Sequence, residues 1–294
     1  MLTLLLTAGI VTAGEWSGYV ALEGRYFFQE GLVPSQHYDS NLSISAEPEY
    51  FHDWDDGRQS LVFKPFVRLD QRDNERTHWD IRELEWTYAG PGWETRVGIG
   101  KVYWGVTEAW HLVDVINQTD LVENPDGEQK LGQPMLKFSS ERGWGTLDFF
   151  LLPGFRERTY PGKDGRVRTH PWVDTEQAKY ESGAGNKRVD AAVRWSHYFG
   201  DWDVGLAHFY GTDRDPLLLP GRDDAGRFVL VPFYQIMHQT SLDAQATIGS
   251  WLWKFETLYR KGMEEDFYAF TGGFESVSYT HLTLPTMLAQ CRSR

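Results

Sequence analysis

Between Val102 and Gln133 the sequence gathers Trp104, Glu108, His111, Asp114, Asn117, Asp120, Glu123, Asp126 and Glu128 in one polar connection. Carboxylates at this density can hold a divalent cation, act as general acid and base, or lend a negative field to water beside them. A cation loop needs a full oxygen ligand set. Neither Asp126-Gly127-Glu128 nor Asp55-Asp56-Gly57 completes one, and both read as turns. Acid–base chemistry needs two carboxyl groups at a defined separation. Glu83 and Glu85 share a strand face, but nothing in the sequence sets their separation or pKa values, which argues against glycosidase chemistry. His37, His52, His78, His111, His170, His197, His208, His238 and His281 are scattered, without a zinc-binding pair. There is no nucleophile elbow and no phosphate-cradling glycine loop ahead of a helix. The chain therefore reads as a non-enzyme with no cofactor and no metal site, and the third use of the carboxylates is left.

A field beside a water path needs a wall, and the flanking sequence supplies strands. Period two recurs along the chain, with no convincing 3.6-residue period of helix length. Trp16 to Phe28 sets Val20, Leu22, Tyr26 and Phe28 against Ser17, Glu23 and Arg25. Asn41 to Phe51 sets Leu42, Ile44, Ala46 and Tyr50 against Ser43, Ser45, Glu47 and Glu49. Leu61 to Asp70 sets Leu61, Phe63, Val67 and Leu69 against Lys64, Arg68 and Asp70. His78 to Ala89 opposes Leu84, Trp86 and Tyr88 to Glu83, Glu85 and Thr87, and Trp93 to Lys101 opposes Val97 and Ile99 to Glu94 and Arg96. Further strands are expected at Pro134–Ser140, Trp144–Leu152, Val189–Phe199, Trp202–Tyr210, Phe228–Thr247, Ser250–Arg260 and Phe267–Phe274, about twelve in all. Short Gly/Asp/Pro turns reverse the chain at Asp55-Asp56-Gly57, Gly90-Pro91-Gly92, Glu141-Arg142-Gly143 and Gly200-Asp201. Phe155 to Lys187 and Asp213 to Arg227 read as long polar loops. Short turns on one side and long loops on the other suit an outer-membrane barrel better than a compact soluble domain.

Composition narrows the class further. The 294 residues carry a formal charge of −13, which argues against a nucleic-acid partner. Mean hydropathy is −0.49, too polar for a helical membrane protein, while aromatics reach 15%. Many of these rings, among them Trp16, Tyr26, Tyr50, Trp54, Trp79, Trp93, Trp202 and Tyr259, fall near expected strand ends, where a bilayer interface would hold them. Residues 1–14 read as a secretory signal without a basic start. Residues 276–294, from Val277 onward above all, read as a translated sequencing adapter that is not part of the natural chain. That tail contains Cys291, the single cysteine, so no internal disulfide is expected. Residues 15–275 are left as the folded part.

The run Arg96-Val-Gly-Ile-Gly-Lys101-Val-Tyr-Trp104-Gly105-Val-Thr-Glu108, with Asp114-Val-Ile-Asn117-Gln-Thr-Asp120, resembles the strand and following segment of uncharacterised proteobacterial porin-like outer-membrane proteins. Ser250-Trp-Leu-Trp-Lys254-Phe-Glu256-Thr-Leu-Tyr259-Arg260 and Gly272-Gly273-Phe274-Glu275 are similar to strand patterns of that group. The resemblance spans most of residues 15–275 but lacks the closing strand and terminal aromatic of such proteins. It implies an all-β fold, an antiparallel transmembrane β-barrel, incomplete, in the outer membrane of a Gram-negative bacterium.

On this reading the protein is a porin-like channel passing small hydrophilic solutes by diffusion, with outer-membrane lipid as its surroundings and homo-oligomerisation left open. Trp104, Glu108, His111, Asp114, Asn117, Asp120 and Glu123 belong to a segment expected to enter the lumen and narrow it, biasing passage toward cations or neutral solutes. Glu23, Arg25, Glu47, Glu49, Lys64, Arg68, Glu83, Glu85 and Arg96 are expected to face the lumen, as are Glu94, Lys254 and Glu256. Such wall charges can also do no more than form cross-strand ion pairs. Two alternatives make different demands. A secreted or periplasmic carbohydrate-binding protein would gather its aromatics on one concave face. A non-transporting anchor or adhesin would have a plugged lumen.

Overall fold

Side chains alternating between apolar and polar place the two faces of a strand in different surroundings. The computed structural model describes residues 14–108, 110–262 and 266–276, so the expectations for residues 1–13 and for the tail from 277 lie outside the described residues. Among the described residues there are fifteen strands and no α-helix. Twelve form one antiparallel sheet in the order β1 (Glu15–Tyr26), β2 (Ser40–Trp54), β3 (Gln59–Asp70), β4 (His78–Gly90), β5 (Trp93–Gly100), β6 (Gln133–Arg142), β7 (Gly145–Pro153), β9 (Val189–Phe199), β10 (Trp202–Thr212), β13 (Ile236–Ile248), β14 (Trp251–Lys261) and β15 (Phe267–Ser276). The remaining three, β8 (Lys179–Tyr180), β11 (Leu217–Arg222) and β12 (Phe228–Tyr234), form a small separate sheet. No pairing joins β1 to β15 among the described residues, so the large sheet is not closed on itself.

Each of the twelve expected strands corresponds to one strand of the large sheet, with two corrections. Phe228 to Thr247 is not one strand. It breaks at Gln235, where β12 leaves the small sheet and β13 starts pairing with β10. Both halves have strand-forming sequences, and period two does not register a change of partner sheet. Asp213 to Arg227 is not structureless either, since Leu217–Arg222 forms β11. The β6–β7 turn also sits slightly later than expected. Arg142 pairs with Gly145, which leaves Gly143 and Trp144 as the loop.

Five tight connections, β2–β3, β4–β5, β6–β7, β9–β10 and β13–β14, lie at one end of the sheet. Gly200 and Gly249 turn there at φ +61° and +63°, a region that favours glycine. The long connections lie at the other end.

The two faces are inverted relative to a water-soluble sheet. Leu42 and Leu69 are 54% and 57% exposed, while Ser43 and Ser45 are 4% and 2% exposed. Val20, Leu22, Ile44, Val67, Trp86, Val97, Leu136, Phe149, Leu151, Leu206 and Phe255 are exposed with the former pair. Arg68, Asp190, Gln239, Ser241, Asp243 and Glu256 are buried on the polar face.

One irregularity changes the reading of a strand. The β3–β4 register shifts between Lys64 and Pro65, so Lys64 opposes Glu83 while Pro65 opposes Ile81. A bulge of this kind lets consecutive residues serve one face. Carried backward from Leu84, simple alternation would put Arg82 on the apolar face. Instead Arg82 is buried on the polar side beside Glu83.

Candidate functional site

The connection from β5 to β6 does not stay at the rim. Asn117 ties its two stems together. Its Oδ1 accepts from Val102 N at 2.8 Å, and its Nδ2 donates to Gly100 O and Leu131 O, each at 2.9 Å. Past this neck, Trp104, Val113, Val115 and Ile116 pack on Met135, Phe150, Leu152, Ala192, Ala207, Phe209 and Met237 of the polar face. Trp104 meets Phe150 edge-on at 5.6 Å, and the Arg194 guanidinium lies 5.5 Å from a Trp104 ring centroid. These apolar residues interrupt the polar face where the segment rests on it, so the segment is a packed element.

Its polar contacts reach both halves of the sheet. On one side Arg82 of β4 pairs with Asp120 at 2.5 Å, and Arg68 of β3 pairs with Glu123 at 2.8 Å. On the other side Glu256 of β14, 0% exposed, accepts from Val106 N (2.7 Å), Thr107 N (2.8 Å), Thr107 Oγ1 (2.8 Å) and Val113 N (3.2 Å). A single segment touching both β3 and β14 requires the polar face to curve around it. Gly105 lies against the same carboxylate. Its φ is +110°, and a Cβ there would stand 2.5 Å from Glu256 Oε1.

The structure places the seven expected segment residues as follows. Trp104, Asn117 and Asp120 are buried, and Glu123 is held by Arg68 and His78. Asp114 pairs with Lys130 at 3.3 Å, Glu108 with Lys254 at 2.7 Å, and His111 with Glu128 at 3.2 Å. Burial pushes the Asp114 carboxyl up from its ordinary value, against the opposing pull of Lys130. Burial also works against the Asp120 carboxylate, but Arg82 and Thr159 outweigh it and hold it below the ordinary range.

The nine expected wall residues all lie on the polar face, and eight of them are in ion pairs. Glu23 meets Arg76 at 3.0 Å, Arg68 at 3.4 Å and Arg25 at 2.5 Å. Lys64 bridges Glu49 and Glu83 at 2.9 and 3.2 Å, and Arg96 bridges Glu94 and Glu85 at 2.6 and 3.5 Å. Glu47 makes no ion pair among the described residues and lines a cavity of about 550 Å³ with Tyr19, Phe66, Arg68, Arg82 and Glu123. A second cavity, of about 470 Å³, lies toward the tight turns among Tyr103, Arg194, Asp203 and Asp243.

Sequence reading missed the arginines outside the clean alternation. Arg76 sits in the β3–β4 connection and donates to Glu23, Asp70, Ser43 and Val122 O. Arg214 donates to Ile116 O and Asp190. Their only sequence signal was a cation beside a strand end.

The apolar face carries two rows of rings. Near the tight turns, Trp16 meets Tyr50 at 5.0 Å, His52 meets Trp54 at 5.5 Å, Tyr88 meets Trp93 at 5.3 Å and Trp253 meets Phe274 at 5.3 Å. Toward the long connections, Tyr210 stacks on His238 at 4.3 Å and Tyr259 on Tyr268 at 4.7 Å, with Tyr26 and Trp79 exposed. Trp16 and Tyr26 are ten residues apart on β1, roughly 33 Å along the strand at ~3.3 Å per residue. A strand tilted by ~40° would bring that to a height of roughly 25 Å, the height of a barrel's apolar band.

No protein-family model and no curated protein sequence matches this chain, so the resemblance to porin-like proteins enters below only as part of a proposal.

Proposed function

We propose that the chain is the wall and internal constriction of an outer-membrane β-barrel that passes small hydrophilic solutes by diffusion. The observation that carries this reading is the inverted burial. Leucine, valine and tryptophan face outward from the sheet, while serines, carboxylates and arginines are covered. Water would penalise that arrangement, whereas hydrocarbon outside and water inside would favour it. The twelve strands of the large sheet run from 8 to 15 residues, about the length that crosses a bilayer when tilted. In lipid, unpaired backbone at β1 and β15 would be costly, so the proposal requires both edges to be paired in the membrane, with each other or with further strands. Passage would follow the cavities beside the inserted segment, filtered by width and by the wall's charge.

The internal packing of the segment favours a second reading, a plugged barrel that anchors without conducting. The carbohydrate-binding alternative needs aromatics on the polar face, and the ring rows lie on the other one.

The test is Ile44→Arg, midway between the two ring rows on the apolar face, with membrane fractionation and liposome swelling in neutral sugars. Arginine at the bilayer midplane costs ~2–4 kcal/mol in such barrels. The proposal expects wild-type protein in the outer membrane, sugar-size-dependent swelling, and loss of insertion in the variant. Soluble wild-type protein, indifferent to Ile44→Arg, would refute membrane residence. Inserted protein with no swelling would leave only the plugged barrel.

A further inference from the structure

The long connection between β7 and β9 crosses the end of the sheet and docks on the β1–β2 connection. Arg166 donates to Gln36 O at 3.1 Å and Tyr38 O at 3.0 Å, and lies 4.4 Å from the Phe27 ring centroid. Gly162 N donates to both oxygens of Asp73, at 3.0 and 3.1 Å. These contacts hold residues 160–169 above the inserted segment at Leu121–Pro125. Between the two lies an apolar cavity of about 290 Å³, lined by Leu121, Pro125, Tyr160, Pro161 and Val167.

Arg168 stands at the rim of this cavity. Its Nε donates to Lys163 O at 3.0 Å and its Nη1 to Thr169 O at 2.7 Å. Among the described residues it forms no ion pair, unlike Arg68, Arg76 and Arg82, which all face carboxylates. With Nε and Nη1 held by backbone carbonyls, Nη2 is left to donate to an anion. The volume lies at the small end of ligand pockets, which start near ~300 Å³. A single ring fits, and a disaccharide does not. An inorganic anion would leave the apolar walls wet, and a neutral ring would leave the cation with only the more distant charges of Asp164 and Asp73 and no paired carboxylate.

We propose that this cavity binds a small carboxylate carrying one apolar ring, with the ring between Leu121, Pro161 and Val167 and the carboxylate on Arg168. The site stands at the outer end of the inserted segment, where it would raise the local concentration of such solutes. Its binding can be measured whether or not the barrel conducts.

The experiment is equilibrium dialysis of labelled benzoate against the full chain in lipid vesicles, with protein-free vesicles as the blank. Acetate and benzyl alcohol serve as competitors. We expect one saturable site, with competition at least about tenfold weaker by either competitor than by unlabelled benzoate, since each lacks half of the recognition. Arg168→Gln should weaken binding at least about tenfold, the loss of a charge-assisted contact. Val167→Asp should do the same through the wall. Both positions are in a surface connection, and Arg168→Lys serves as a milder variant if Arg168→Gln misfolds. Equal competition by benzyl alcohol would overturn the carboxylate assignment. Benzoate binding unchanged in both variants, or no saturable binding, would overturn the site. Swelling assays on the same vesicles report the channel separately, so failure of one reading is not failure of the other.

Discussion

Glu256→Gln probes what holds the inserted segment in place. In the wild type one buried carboxylate lies in hydrogen-bond reach of four donors of residues 106–113, the Thr107 hydroxyl dividing its single proton between Glu256 and Trp110 O. Glutamine keeps one acceptor oxygen and loses the charge. Three contacts to Oε1 fall from charge-assisted to neutral strength, ~1 kcal/mol each, and Val113 N then faces an amide donor, stranded at a cost of ~1–3 kcal/mol. The sum is ~4–6 kcal/mol on the closed position of the segment, or roughly a thousandfold or more in its opening constant. Hydrogen exchange of peptides covering residues 102–116 reads this directly. Their protection should collapse while β9 and β10 keep theirs. Gly105→Ala attacks the same contact from the segment, because a Cβ would press on Oε1 at a residue whose φ is +110°. Both variants break one latch, so the double variant should be little worse than either single one. A loss of protection under tenfold in Glu256→Gln, or a uniform loss across the sheet, would refute the latch. Full additivity with Gly105→Ala would show that the two act on separate contacts.

Three further outcomes follow from the same geometry. Asn117→Ala removes the three bonds that close the neck; at ~0.5–1.5 kcal/mol each it should cost ~2–4 kcal/mol, read as a lower unfolding temperature with exchange fastest at residues 100–103 and 131–133. Asp114 and Asp120 should oppose each other in pH. The folded segment binds the Asp114 proton more tightly than the unfolded chain does, so protection should fall as pH rises above the ordinary aspartate value of ~3.9 toward the raised one, and Asp114→Asn should flatten that slope. Asp120 is held below the ordinary range, so its contribution is present above ~3.9 and disappears as pH falls toward the lowered value. Asp120→Asn should remove that acid limb, and an unchanged pH profile in either variant would contradict the assignment.

The sheet was legible because one chemical contrast repeats every second residue. Leu42–Ser43–Ile44–Ser45 announces two environments whatever they are, and that is enough to locate a strand and its faces. It does not say which sheet a strand joins, so the passage from β12 to β13 was invisible. Nor does it survive a bulge, which is why counting back from Leu84 cannot place Arg82. The segment was legible as too polar for lipid and too long for a turn. What it touches was not, because Glu256 lies about 150 residues from Thr107 and only the curvature of the sheet brings them together.

That curvature also changes what the carboxylates can do. Read as a list, Glu108, Asp114, Asp120 and Glu123 promise a negative ring. In the structure each faces a cation, Lys254, Lys130, Arg82 and Arg68 in turn. Paired charges largely cancel at the distance of a passing ion, so the field must come from groups left over. Glu47 and Asp203 on the wall and Lys101 at the root of the segment make no ion pair among the described residues. One unit charge ~5 Å from an ion in water is worth ~0.8 kcal/mol, about fourfold in relative permeability. On the proposed function the channel should therefore be only weakly selective, and Glu47→Gln should shift its cation-to-anion ratio by no more than about fourfold. Glu123→Gln should act differently. It leaves Arg68 with only Glu23, which Arg25 and Arg76 share, so the pore should turn toward anions by a comparable factor although the residue removed was already neutralised. Reversal potentials in a salt gradient measure both. Cation preference above about tenfold in the wild type, or a Glu123→Gln pore indistinguishable from it, would mean that the pairs are open in the conducting state and that the wall acts as a ring of free carboxylates.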